Sequence, residues 1–207
     1  MKKSSYMSAL LVSVLPMLIG LVLWKQLPAE LAVHFNFQGV ADTFASKTIV
    51  VFGLPLLFIV VLGFLIFAMS QDPKHQNIGH KPSQLVIWII ALIGIFVQCG
   101  IYTIALGYHI DIAMLTYFVI GLVFIFLGNY LPKTKQNYTV GLRLPWTLHS
   151  SENWNRTHRF GGYIFILTGV MIFLCGFFHQ QVLFLICIFA PAIFVIVYSY
   201  LLYRKGI

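Results

Sequence analysis

The chain has 207 residues, 60% of them hydrophobic and only 9% charged, and its mean hydropathy of +0.92 excludes an ordinary water-soluble domain. The formal charge of +8 sits on basic residues dispersed at the ends of apolar stretches. That pattern points to membrane orientation and contact with anionic lipids, and away from direct nucleic-acid binding.

A helix that crosses a bilayer needs about 20 apolar residues, because only intrahelical bonding satisfies backbone polar groups in hydrocarbon. Residues 4–24 carry no Asp, Glu, Lys or Arg and predict a first span over about 6–26, kinked at Pro16. Lys2 and Lys3 precede it in the manner of a secretory signal, but no small-x-small cleavage site follows, so a retained signal anchor is expected. The loop over 27–47 alternates Val33, Phe35 and Phe37 with His34, Asn36 and Gln38 before a turn at Gly39. This period of two predicts a short strand or hairpin. His34 and Asp42 are possible metal or proton ligands by residue type, but two donors without others favour a local hydrogen bond.

Charge-free stretches at 48–71, 82–110 and 112–132 predict three more spans, over about 48–69, 84–106 and 112–131. Pro55 is expected to kink the second, and Gly20, Gly63, Gly94, Gly100, Gly121, Gly169 and Gly176 to allow close helix approach. The predicted spans contain no buried carboxylate or charge pair of the kind that couples transport to ions. Gln98 is expected to make an interhelical hydrogen bond. Cys99, Cys175 and Cys187 lack metal or disulfide spacing and are read as packing residues.

The polar segment 128–162 is punctuated by Pro132, Gly141 and Pro145. Ser150, Ser151 and Glu152 supply a cap and an early acidic residue for a short interfacial helix over about 151–160. On that helix Glu152 and Arg156 are four apart, and Trp154 shares a face with His158. Arg143, Arg156 and Arg159 suit phosphate oxygens or an acidic partner, and equally suit snorkelling to the interface. His149, Glu152 and His158 are materials for acid–base or metal chemistry, but no HExxH spacing or marked nucleophile accompanies them. No catalytic residue, metal site or cofactor is therefore assigned. The final stretch, 160–203, is charge-free and interrupted by His179, Gln180 and Gln181, which predicts a hairpin of two spans over about 161–178 and 182–203.

The fold class is thus an all-α membrane protein of about six transmembrane helices, read as a single polytopic domain over 1–207 with one external strand-like segment and one cytoplasmic interfacial helix. An even number of spans puts both termini on one side. With that side cytoplasmic, only Lys25 and Lys47 among the lysines and arginines fall outside.

At the two polar loops the sequence resembles the SdpI-type bacterial immunity proteins, whose relatives pair an external LPxxxxxHFNxxGxxD-like segment with a cytoplasmic GLRxPWT segment. The external likeness rests on Leu27, Pro28, His34, Phe35, Asn36, Gly39 and Asp42. The cytoplasmic one rests on Asn129, Pro132, Asn137, Gly141, Leu142, Arg143, Pro145, Trp146, Thr147, Ser150, Trp154, Thr157, His158 and Gly161. The resemblance implies a multi-pass protein of the bacterial plasma membrane that protects its producer against a secreted peptide toxin and can also hold a cytoplasmic transcriptional repressor at the membrane. The external contact is expected at His34, Phe35, Asn36, Gly39 and Asp42. The inner contact, with a partner or with lipid head groups, is expected at Asn129, Asn137, Arg143, Trp146, Trp154, Arg156, His158 and Arg159. The rival readings are a membrane enzyme or carrier acting on a lipid-linked phosphate substrate, and a receptor that senses the peptide without protecting against it.

Overall fold

The computed structural model describes residues 3–36 and 38–207, with side chains described from Ser5 onward. Lys2, the Lys3 side chain and Phe37, used above for orientation and strand period, lie outside the described residues. Among the described residues six helices are long and apolar enough to cross a membrane: Ser5–Val22, Ile49–Gln71, His80–Ala105, Ile112–Lys133, Ser151–Phe177 and Gln181–Arg204. Residue contacts divide the chain into two compact units, one of residues 1–66 and 87–115, the other of residues 67–86 and 116–207.

In the first unit the opening span is two helices, α1 (Lys3–Val12) and α2 (Leu15–Val22). Pro16 lies in the first turn of α2, and its missing N–H interrupts the ladder where the sequence predicts a kink. Strands β1 (Glu30–Phe35) and β2 (Ala41–Ser46) then pair antiparallel. The pairing slips between Ala32, His34 and Phe35, so Val33 sits in a bulge. The simple alternation expected from 33 onward is broken there because the adjacent Leu31 and Ala32 are both buried, Leu31 in a core with Leu27, Val50, Val51, Ile101 and Tyr102.

Before α3 (Leu54–Gln71) the chain makes a π-helical turn, Ile49–Gly53. Its C-terminal bond runs from the Leu54 N–H to the Ile49 carbonyl. The next carbonyl, Val50, would be served in this pattern by residue 55, which is proline and has no N–H. Gln98 of α4 (His80–Ala105) fills the gap, its Nε2 donating to the Val50 oxygen at 2.9 Å. The hydrogen bond expected of Gln98 is therefore a repair of the Pro55 defect, made in a site where Gln98 is 1% exposed. Tyr102, one turn on, donates its hydroxyl to the Pro16 carbonyl at 3.0 Å.

The second unit contains α5 (Ile112–Tyr130) from residue 116, a 3₁₀ turn (Leu131–Lys133), α6 (Pro145–His149), α7 (Ser151–Phe177) and α8 (Gln181–Arg204). Helices α5 and α7 meet through paired glycines. A Cβ on Gly121 would lie 2.9 Å from the Gly169 carbonyl, and one on Gly128 would lie 2.7 Å from the Gly162 carbonyl. The contacts are reciprocal and run in opposite chain directions, so this is an antiparallel seam closed by the absence of side chains. Gly63, by contrast, faces open space and makes no such approach.

The helix predicted over 151–160 exists, capped by Ser150, whose Oγ accepts the Asn153 N–H at 3.1 Å. It does not end there. It runs without a break into the fifth span, because Gly161 and Gly162 are held helical by packing against Leu142 and Pro132.

Candidate functional site

The external motif builds the tip of the hairpin. The Asn36 side-chain oxygen accepts the N–H groups of Gln38 at 3.0 Å and Val40 at 2.9 Å, while the Asn36 backbone N–H donates to the Val40 carbonyl. Gly39 takes φ +75°, a conformation that favours glycine, and donates its N–H to Asn36. Below this turn the His34 imidazole and the Asp42 carboxylate meet across the strands at 2.5 Å, both exposed. The hydrogen bond to His34 holds the Asp42 carboxyl below its ordinary pKa. Phe35 is half-buried opposite Ala41. Among the described residues no group of three or more His, Cys, Asp or Glu side chains is placed to hold a metal ion. Exposed Val40 and Phe44 give the hairpin an apolar face beside its polar tip. Lys47 anchors its base, donating to the Trp24 and Leu27 carbonyls at 2.9 and 3.0 Å with its ammonium over the Trp24 ring.

The cytoplasmic segment is an ordered polar knot in which each motif residue completes another's bonding. Gly141 has φ +122°, and a Cβ there would stand 2.5 Å from His158 Nε2. With that space open, the Leu142 N–H reaches His158 Nε2 at 3.0 Å. His158 Nδ1 lies 2.8 Å from the Trp154 carbonyl. One ring nitrogen accepting from an amide and the other donating to a carbonyl defines the neutral imidazole and its tautomer. The Trp154 ring stacks on His158 at 4.0 Å and donates its Nε1–H to the Thr134 carbonyl at 2.7 Å. Thr147 Oγ accepts the Leu144 N–H at 2.9 Å and closes the first turn of α6 behind Pro145.

Asn137 is fully buried and shapes the bend before this motif. Its side-chain oxygen accepts from Thr139 and Val140, and its amide donates to the Lys135 and Val140 carbonyls. Trp146 donates to Ser199 of α8 at 2.7 Å, and the Ser199 hydroxyl donates on to Asn153 at 2.8 Å. Asn137, Trp154 and His158, expected among the partner-facing residues, thus have at most 1% of their surface exposed and serve the loop itself. Arg143, Arg156, Arg159 and Asn129 are exposed. Arg143 donates to the Tyr138 carbonyl at 2.6 Å, Arg156 pairs with Glu152 as expected from their spacing, and Asn129 lies 3.5 Å from Lys133 Nζ.

Asp72 is a residue the sequence did not single out. Its carboxylate is 4% exposed and accepts from the Lys74 N–H at 2.7 Å, the Tyr138 N–H at 2.9 Å and the Thr139 hydroxyl at 2.6 Å. Nearby, Lys74 donates to Gln136 Oε1, and Gln136 donates to the Thr147 and Leu148 carbonyls. The signal available was a lone carboxylate directly after the second span, followed by proline. Two of the three groups it serves, at Tyr138 and Thr139, lie more than sixty residues away.

The arrangement does not assemble a catalytic centre from the candidates. His158 is buried against backbone, Glu152 is exposed on Arg156, and Arg143 bonds a carbonyl on the outer lip of the loop. His149 Nδ1 bonds the Pro145 carbonyl at 2.6 Å.

Residues 133–199 match the SdpI/YfhL protein family, and residues 11–59 match a domain of unknown function, DUF1648. The hairpin falls within residues 11–59 and the knot within residues 133–199, with Asp72 outside both. The immunity protein SdpI of Bacillus subtilis (strain 168) is 24% identical over 181 residues, covering 87% of this chain and 85% of that protein. No solved structure matches. Residues 133–199 thus resemble the SdpI/YfhL family, and the chain as a whole is a multi-pass bacterial membrane protein similar to the immunity protein SdpI.

Proposed function

We propose that this chain is a membrane immunity protein that protects its bacterium against a secreted peptide toxin, with the external hairpin as the face that meets the peptide. The observation that carries the reading is the likeness to an immunity protein across 87% of the chain, both polar segments included. The hairpin has the chemistry for an amphipathic peptide. Val40 and Phe44 offer apolar contact beside the exposed His34–Asp42 pair, and cationic or polar peptide groups meet the Asp42 carboxylate. On the cytoplasmic side, Arg143 stands exposed on the rigid knot and presents a guanidinium to an acidic face of a repressor held at the membrane.

A strain lacking the gene, challenged with spent medium of the producing bacterium and with protease-treated medium as control, tests the proposal. The strain is expected to lose growth in untreated medium alone. Full-length protein restores growth, and protein carrying Asn36→Ala, which dismantles the tip, does not. Equal growth with and without the gene overturns the immunity reading. The enzyme and carrier reading gains no support from the geometry, since Arg143, Glu152 and His158 do not converge on a polar cavity.

A further inference from the structure

An open cavity of about 450 Å³ lies between α7 and α8, lined by Asn155, Arg156, Arg159, Phe160, Tyr163 and Tyr198. Phe160 and Tyr198 stack at 4.2 Å and form an apolar floor. Arg156 and Arg159 are three apart on α7 and both line the cavity, and Tyr163 follows one turn deeper into the span.

Among the described residues the side chains of Lys25, Lys81, Lys135, Arg204 and Lys205 make no hydrogen bond or ion pair, but none of them lines this cavity, and several other cations are engaged. Lys47 binds two carbonyls, Lys74 binds Gln136, and Arg143 binds the Tyr138 carbonyl. Arg159 has no hydrogen-bond or ion-pair partner among the described residues, and the Tyr163 and Tyr198 hydroxyls likewise have none. Arg156 bonds Glu152 through one guanidinium nitrogen, in an exposed pair that leaves its other donors open. The cavity therefore combines two cations and two phenol donors over an aromatic floor. It sits where the charge distribution puts the cytoplasmic head groups, and a phosphate diester matches two guanidinium forks in charge and in acceptor geometry. Exposed Leu167 and Val170 continue α7 into the hydrocarbon beyond Tyr163.

We propose that this cavity binds the phosphate of an anionic phospholipid, with Arg156 and Arg159 on the phosphate oxygens and the acyl chains lying along α7 past Tyr163. The site is independent of the toxin reading and uses none of the hairpin residues. It gives Arg156 and Arg159 a lipid rather than a protein partner.

Native mass spectrometry of the full-length protein in detergent, titrated with phosphatidylglycerol and in parallel with phosphatidylcholine, reads the site directly. One phosphatidylglycerol is expected to bind in preference to phosphatidylcholine. Arg159→Gln or Arg156→Gln is expected to weaken that binding about fivefold each, the usual effect of one basic residue at an anionic surface. Lys205→Gln removes one charge at the exposed end of α8 and is expected to leave the affinity within about twofold. Equal binding of the two lipids, or equal losses for Arg159→Gln and Lys205→Gln, overturns the proposal. Displacement of the lipid by millimolar glycerol phosphate would assign the cavity to a soluble phosphate compound and overturn the lipid assignment. Retained binding supports it.

Discussion

The Leu142 amide donates to His158 Nε2 at 3.0 Å, and this bond ties the glycine turn of the cytoplasmic segment to a buried face of the fifth span. It exists only because residue 141 has no side chain. His158→Ala leaves the Leu142 N–H unpaired and opens a void beside Trp154, at an expected cost of about 3 kcal/mol. Gly141→Ala reaches the same end from the other side, through a clash at the ring and a disfavoured φ. Amide exchange at 141–144 in nanodiscs is expected to rise by orders of magnitude in both variants.

Asp72 offers a second entry to the same knot. Asp72→Ala strips three donors of their acceptor at once and is expected to cost about 3 kcal/mol of local stability. Asp72→Asn keeps the shape but loses the charge and one acceptor lobe, so a smaller loss is expected. Limited proteolysis of the 133–145 segment measures both, and unchanged cleavage would show that the carboxylate does not hold the loop.

Acid should loosen the external hairpin. The hydrogen bond from His34 depresses the Asp42 pKa below its ordinary value of 3.8, so the folded hairpin favours the carboxylate. Its contribution is full above the unfolded carboxyl's pKa and is lost as pH falls through the lower folded value. Protection of the Val40 amide is expected to drop below about pH 3.8. In Asp42→Asn that dependence disappears.

Gln98→Leu tests the account of the second span. The substitution is close in volume but leaves the Val50 carbonyl without a donor in the span, at an expected cost of about 1–2 kcal/mol. Restoring an N–H with Pro55→Ala should recover part of that loss. The double-mutant cycle measures the coupling in thermal denaturation, and additive effects would mean that the glutamine and the proline defect are unrelated.

The antiparallel glycine seam predicts an asymmetric response. Gly121→Val drives a side chain into the Gly169 carbonyl and is expected to destabilise the second unit by several kcal/mol. Gly63→Val meets open space and should be close to neutral, as thermal unfolding in detergent would report.

The six spans were legible in the sequence because a helix in hydrocarbon satisfies its backbone locally, so apolar run length alone identifies it. Ser150 as a cap and the Glu152–Arg156 pair were legible for the same reason, since partners three or four residues apart meet on any helix. The strand period around His34 was readable, but the bulge at Val33 was not, because it follows from the burial of Leu31 and Ala32 against Val50, Val51 and Ile101. Sequence also marked Asn137, Trp154 and His158 as special without revealing that they face inward. Burial depends on partners at long separation, such as Thr134 for Trp154 and Ser199 for Trp146 and Asn153. Which polar groups are used by the protein's own architecture and which are left for a ligand is a question of satisfied hydrogen bonds. Only the tertiary structure answers it, separating the inward-facing His158 from the open guanidinium of Arg159 one residue away.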